Sequence, residues 1–174
     1  MERICIIGIA GSGKSTLARI LGKELRLPVL HLDTVYWLPN WEVAPADLFQ
    51  EAPDKWMQST VWVIDGNYRK TLPSRLEHAD TVIHLDYSTW SGLWGAIKRF
   101  FIYRHKSRLD ITPGCNEKLD WEFITWILHF RKNVRPLLIE EISKHPHLQV
   151  LSFRNRRQLS RYMLTKIPHN SLND

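Results

Sequence analysis

An α/β fold, with a parallel sheet covered on both faces by helices, follows from three observations on the chain. Five short runs are apolar at strand length, helical apolar patterns fall between them, and a glycine-rich turn joins the first strand to the first helix. At 174 residues, 44% hydrophobic and 24% charged, the chain suits one domain, 1–174, with a substantial core. That composition excludes a disordered tail or a coiled-coil rod.

The first strand is predicted over 3–7, and the helix over 14–25 sets Leu17, Leu21 and Leu25 on one face. Further strands are predicted at 28–33, 61–65, 81–86 and 148–153, three of the five ending in Asp. Leu48, Phe49, Ala52 and Trp56 mark a helix before the third strand, and 72–79 marks another before the fourth. Trp90, Leu93, Trp94, Ile97 and Phe101 mark a helix after the fourth strand. A long helix over 117–142 should break or kink at Pro136, and 156–166 closes the chain as a helix. No repeat, low-complexity segment or linker interrupts this order.

Lys and Arg number 24 against 18 Asp and Glu, a formal charge of +6, so the surface should attract an anion such as a nucleotide, nucleic acid or acidic lipid. Eight Trp is a surplus, used either in the core or around a site that stacks on planar ligands. Cys5 and Cys115 form no CxxC pair, which argues against a zinc site or disulfide framework and for a reducing cytoplasm. The first residues do not read as a signal peptide, and no run reaches the roughly 18 apolar residues of a membrane span. A soluble, cytoplasmic protein without a membrane partner is expected.

Residues 8–15 match G-x-x-x-x-G-K-[ST] between a strand and a helix. Gly8, Gly11, Ser12 and Gly13 would wrap backbone N–H groups around phosphate oxygens at the helix N-terminus, with Thr16 in the first helical turn. Lys14 should reach the β- and γ-phosphates of ATP, and Ser15 should ligate Mg²⁺.

Ligands of open α/β sheets bind beyond the carboxyl ends of the strands, which makes Asp33, Asp65 and Asp86 candidates. Asp65 is placed to hold Mg²⁺, and Asp33 to orient or deprotonate an acceptor hydroxyl; the competing role for each is to cap a helix or start a turn. Arg69 either contacts an acceptor or phosphate or begins the next helix as a solvated residue. Lys98, Arg99, Arg104, Lys106 and Arg108 read in three ways: a kinase lid over the transferring group, a nucleic-acid patch with Phe100, Phe101 and Tyr103, or a solvated basic face. Metal-ligand spacing is absent among the eight histidines, and His31 and His84 read as packed or hydrogen-bonded.

Taken together, these residues resemble the P-loop kinase superfamily that includes adenylate and shikimate kinases. Asp65-Gly66-x-x-Arg69 is similar to the Asp-Gly-Phe-Pro-Arg segment of adenylate kinase, with Asn67-Tyr68 in place of Phe-Pro. More narrowly, His31-Leu-Asp-x-x-Tyr-Trp37, Trp41, the stretch Trp62 to Arg69, Ala79-Asp80-x-Val-Ile-x-Leu-Asp86, Gly114-Cys115-x-Glu117, Phe123 and Trp126 resemble a bacterial group labelled DNA topology modulation protein or adenylate-kinase-related kinase. The resemblance implies a five-stranded parallel sheet in the order 2-3-1-4-5, an acceptor-binding segment near 34–60, a helical lid near 99–125, and ATP with Mg²⁺. Arg154, with Arg156, Arg157 and Arg161, follows the last strand, where P-loop kinases hold the adenine; a solvated helix face is the other reading. The implied activity is transfer of the ATP γ-phosphoryl to a small-molecule acceptor, a nucleotide, nucleoside or other hydroxyl compound, with an ATP-binding, nucleic-acid-associated regulator affecting DNA topology as the alternative. In the first reading Trp37 and Trp41 shape the acceptor pocket, while Trp90, Trp94, Trp121 and Trp126 pack around the lid.

Overall fold

Strands β1 (Arg3–Gly8), β2 (Val29–His31), β5 (Trp62–Asp65), β6 (Thr81–Leu85) and β7 (Gln149–Phe153) form the parallel sheet of the computed structural model, in the order β2-β5-β1-β6-β7. The structure describes residues 1–104, 108 and 110–166. Lys106 of the basic stretch therefore lies outside the described residues. Two further strands, β3 (Trp37–Leu38) and β4 (Glu42–Val43), pair only with each other; without them the order is the predicted 2-3-1-4-5. This hairpin escaped the sequence reading because two residues per strand are too few to show a period.

The central strands carry near-continuous apolar runs because both faces are covered. Ile4, Ile6, Ile7, Val63, Ile64, Val82 and Ile83 are all buried, each contributing roughly 1.5–3 kcal/mol of transfer free energy relative to exposure. Against them pack Leu17 and Leu21 of α1 (Lys14–Leu25), Leu76 of α4 (Leu72–His78), and Ile127 and Leu138 of α6 (Trp121–Asn133) and α7 (Arg135–Ser143). The remaining helices are α2 (Asp33–Tyr36), α3 (Ala46–Met57), α5 (Thr89–Tyr103) and α8 (Arg156–Lys166). Ile6 is in register with Asp65, so the exit of β1 and the end of β5 lie side by side. Everything attached to those two ends converges on one edge of the sheet.

Several expectations are corrected. Only Asp65 ends a strand: β2 stops at His31, and Asp33 opens α2, while Asp86 follows β6 by one residue. The helix predicted from 117 starts at Trp121, where the Asp120 carboxylate caps the Phe123 N–H at 2.8 Å. Its break falls at Val134, because Pro136 in the first turn of α7 cannot continue the hydrogen bonds of α6. Trp90, Trp94 and Trp121 are 75%, 69% and 76% exposed rather than packed. Trp126 stacks on Phe123 with ring planes 8° apart yet stays 40% exposed, whereas Trp62 is fully buried. Cys5 and Cys115 are both free and buried. Among the described residues, no helix is long and apolar enough to cross a membrane.

Candidate active site at the carboxyl edge of the sheet

The turn from β1 to α1 is shaped to receive phosphate. Gly11 and Gly13 adopt φ of 72° and 95°, a region that side chains avoid, and no side chain caps α1. The first-turn N–H groups of α1 are therefore left for an anion at the positive end of the helix dipole. The Ser12 hydroxyl is buried without a hydrogen-bond partner among the described residues, an orphan that a phosphate oxygen would satisfy. Lys14 folds back over the loop, its Nζ donating to the carbonyls of Gly8 at 3.0 Å and Ile9 at 3.1 Å. Burial lowers its pKa, with Asp65 and Asp33 opposing that shift.

The register of β1 and β5 sets Ser15 and Asp65 together: Ser15 Oγ donates to Asp65 Oδ2 at 2.9 Å. The other carboxylate oxygen lies 2.5 Å from His31 Nδ1 at the end of β2. Burial disfavours the charged imidazole, but the hydrogen bond and charge of Asp65 prevail and raise the His31 pKa. Among the described residues no group of three His, Cys, Asp or Glu could enclose a metal ion. A hydroxyl beside a carboxylate nevertheless suits Mg²⁺, which takes few protein ligands and fills its octahedron with water and substrate phosphate.

Asp33 faces the same edge. Tyr68 Oη donates to its Oδ1 at 2.6 Å, leaving Oδ2 without a bond from Tyr68. Burial raises the Asp33 pKa, partly offset by Tyr68, so its carboxylate is a better proton acceptor than one in water. Burial and the Asp33 charge in turn hold the Tyr68 phenol protonated. Asp86, by contrast, is a structural tie: Arg135 grips it bidentately, with Nε and Nη2 each at 2.7 Å, and Arg131 Nη1 adds a bond at 3.0 Å.

Three features had no clear signal in the sequence. Asn67 clamps Gly8 in both directions, Oδ1 accepting from its N–H at 2.9 Å and Nδ2 donating to its carbonyl at 2.8 Å. Arg75, 0% exposed, spends its donors on the Gly66 and Tyr68 carbonyls and the Thr71 hydroxyl, fixing the turn that carries Asn67 and Tyr68. Behind the phosphate loop, Gly92 and Gly95 of α5 lie back to back with it, so close that a Cβ on Gly95 would stand 2.0 Å from the Gly11 carbonyl oxygen. Paired glycines inside a helical pattern were the one available hint.

Arg99 and Arg108, expected as lid cations, are gathered with Lys14 and Asp33 but are already engaged. Arg99 Nε donates to Glu117 Oε1 at 2.7 Å, and Arg108 Nη1 donates to Glu117 Oε2 at 2.6 Å. The same Arg108 binds Asp110 bidentately at 3.1 and 2.9 Å. Burial opposes ionisation of Asp110, yet Arg108 draws its pKa down to about 2. Residues 112–116 are fastened to the segment 37–41: Thr112 Oγ1 donates to the Trp37 carbonyl, Cys115 Sγ to the Leu38 carbonyl at 3.1 Å, and Trp41 Nε1 to the Asn116 carbonyl at 2.9 Å. The distal half of the expected lid and the expected acceptor segment thus form one wall, with Tyr36, Trp37 and Trp41 in ring-to-ring contact along it.

Between α1 and α8 lies a cavity of about 480 Å³, lined by Ser12, Thr16, Ile20, Tyr87, Arg156 and Met163 among others. Arg156 Nη2 donates to the Gly11 carbonyl at 3.3 Å, whereas Arg154 is exposed, its backbone N–H bonded to Gln158. Arg69 and Arg104 are also exposed.

No family model and no curated protein match this chain. Solved structures do. Shikimate kinase from Acinetobacter baumannii, in complex with shikimate, matches with a TM-score of 0.57 at 16% identity, over 99% of this chain and 96% of that one. Shikimate kinase from Bacteroides thetaiotaomicron matches with a TM-score of 0.52 at 16% identity, over 94% of both chains. A gluconokinase from Sinorhizobium meliloti 1021 matches with a TM-score of 0.51 at 15% identity, over 92% of this chain and 86% of that one. At such identities the likeness is one of architecture, and the chain carries the α/β fold seen in these P-loop small-molecule kinases.

Proposed function

We propose that the chain transfers the γ-phosphoryl group of ATP to a hydroxyl of a small molecule. The observation that carries this reading is the convergence of Lys14, the Ser15–Asp65 pair and the half-buried Asp33 beside an uncapped, glycine-lined helix N-terminus. The triphosphate would lie in the loop, with the nucleoside in the cavity between α1 and α8. Lys14 would leave the Gly8 and Ile9 carbonyls for the β- and γ-phosphates. Mg²⁺ held through Ser15 and Asp65 would neutralise charge on the transferring group. Asp33 Oδ2 would take the acceptor's hydroxyl proton as its oxygen bonds to Pγ, and the bond from Pγ to the bridging oxygen would break with its electron pair leaving on ADP.

The narrower sequence likeness, to the adenylate-kinase-related group, rests on the segments Asp65 to Arg69 and Gly114-Cys115-x-Glu117. The test is ADP release with and without candidate hydroxyl acceptors, in the wild type and in Lys14→Ala. Acceptor-dependent release that Lys14→Ala abolishes supports the reading. ATP binding with no acceptor effect, together with salt-sensitive DNA binding, would instead support the nucleic-acid-associated alternative.

A further inference from the structure

Among the described residues, the two guanidinium groups gathered with Lys14 and Asp33 already have carboxylate partners, and Lys14 itself is turned onto the Gly8 and Ile9 carbonyls. Lys14, Arg99 and Arg108 lie together with Asp65, and Glu117 and Asp110 hold the two guanidinium groups. Arg99 and Arg108 are thus met by Glu117 and Asp110, Asp65 is held by Ser15 and His31, and the triphosphate would take Lys14. Arg75 cannot help, because it is buried and turned onto the carbonyls of Gly66 and Tyr68. Arg69 and Arg104 are exposed and stand outside this buried set.

A second phosphate or a carboxylate on the acceptor would find no unpaired cation within the set. It would also meet the Asp33 carboxylate, whose charge no guanidinium pairs among the described residues, and juxtaposed like charges cost several kcal/mol in a desolvated site. What the cleft does offer is an aromatic wall and one proton acceptor. Tyr36 contacts Trp37, Phe49 and Tyr68 at ring-centroid distances of 4.9, 5.0 and 4.5 Å, and Trp41 extends the wall. Flat or weakly polar ring faces pack well on such side chains.

Building on the phosphotransfer reading, we infer that the acceptor is an uncharged, ring-bearing hydroxyl compound, a nucleoside or a sugar, and that phosphorylated or carboxylated analogues are rejected. Glu117 and Asp110 act as the specificity-determining residues, because their pairing with Arg99 and Arg108 keeps those guanidinium groups from serving as an anion clamp.

The test uses the full chain with MgATP and matched pairs differing by one anionic group. Each nucleoside is set against its 5′-monophosphate, and a hexose against its hexonic acid, with ADP release and the phosphorylated product both measured. The expected result is a kcat/KM roughly tenfold or more higher for the uncharged member of a pair. The pair that responds separates nucleoside from sugar. Glu117→Gln removes one partner of both arginines, and it should narrow the ratio by raising kcat/KM for the anionic member. Asp110→Asn provides the same readout if Glu117→Gln does not fold. Preference of the wild type for an anionic member overturns this inference and leaves phosphotransfer standing, as does an unmoved ratio in a folded variant. ATP binding with no turnover of any member overturns the phosphotransfer reading and this inference with it.

Discussion

Asp33→Asn separates catalysis from folding at one atom. The amide keeps an oxygen where Tyr68 Oη now donates at 2.6 Å, so the start of α2 and its contact with β5's following turn persist. What is lost is proton acceptance at the second oxygen, and removing a positioned general base costs about 10²- to 10⁴-fold, or about 3–5 kcal/mol in the barrier. Stability should respond in the other direction. Burial raises the pKa of Asp33, so the native state binds its proton more tightly than the unfolded chain does. That contribution is fully present below the unfolded carboxylate range and is lost as pH rises through the folded value, leaving a penalty at neutral pH. The neutral amide avoids this penalty. Steady-state ADP release with an acceptor should fall by at least a hundredfold, while the thermal midpoint at pH 7 stays equal or rises. Retention of activity within about threefold would refute the base assignment. A lower midpoint accompanying lost activity would show that Asp33 serves the fold instead.

Other perturbations test the surrounding supports. Asn67→Ala removes both bonds to Gly8 and should destabilise the chain by about 1–3 kcal/mol in urea unfolding, with weaker ATP binding by calorimetry. Gly95→Ala places a Cβ 2.0 Å from the Gly11 carbonyl oxygen and should cost about 1–3 kcal/mol or more while displacing the phosphate loop, read as a lower thermal midpoint and a raised Kd for ATP. Asp110, drawn down to about 2 by Arg108 against the effect of burial, supplies stability present above the unfolded carboxylate range and lost as pH falls through about 2. Denaturant midpoints measured from neutral to acid pH should show the wild type's advantage over Asp110→Asn shrinking by about 2 kcal/mol.

The parts legible in the sequence were those coded by neighbouring residues. The phosphate loop lies in one contiguous segment between a strand and a helix, and Asp65 ends a strand whose neighbour is β1. Glu117 is different: it stands in the Gly114-Cys115-x-Glu117 motif and at the predicted start of a helix, but neither reveals that it is buried between two arginines 18 and 9 residues before it. Arg75 falls inside the predicted helix over 72–79 with nothing nearby in sequence to mark it, and only the packed turn shows why a guanidinium is kept there. The exposed Trp90, Trp94 and Trp121 show the opposite failure, because apolar periodicity marks one face of a helix without saying that anything covers it.

The central claim is tested most directly by following labelled γ-phosphate from ATP with an uncharged hydroxyl acceptor present. The account predicts that label appears in an acceptor phosphate ester at a rate matching ADP release, and that Asp33→Asn slows both equally. Label released only as inorganic phosphate, at a rate indifferent to every acceptor and to Asp33→Asn, would contradict it.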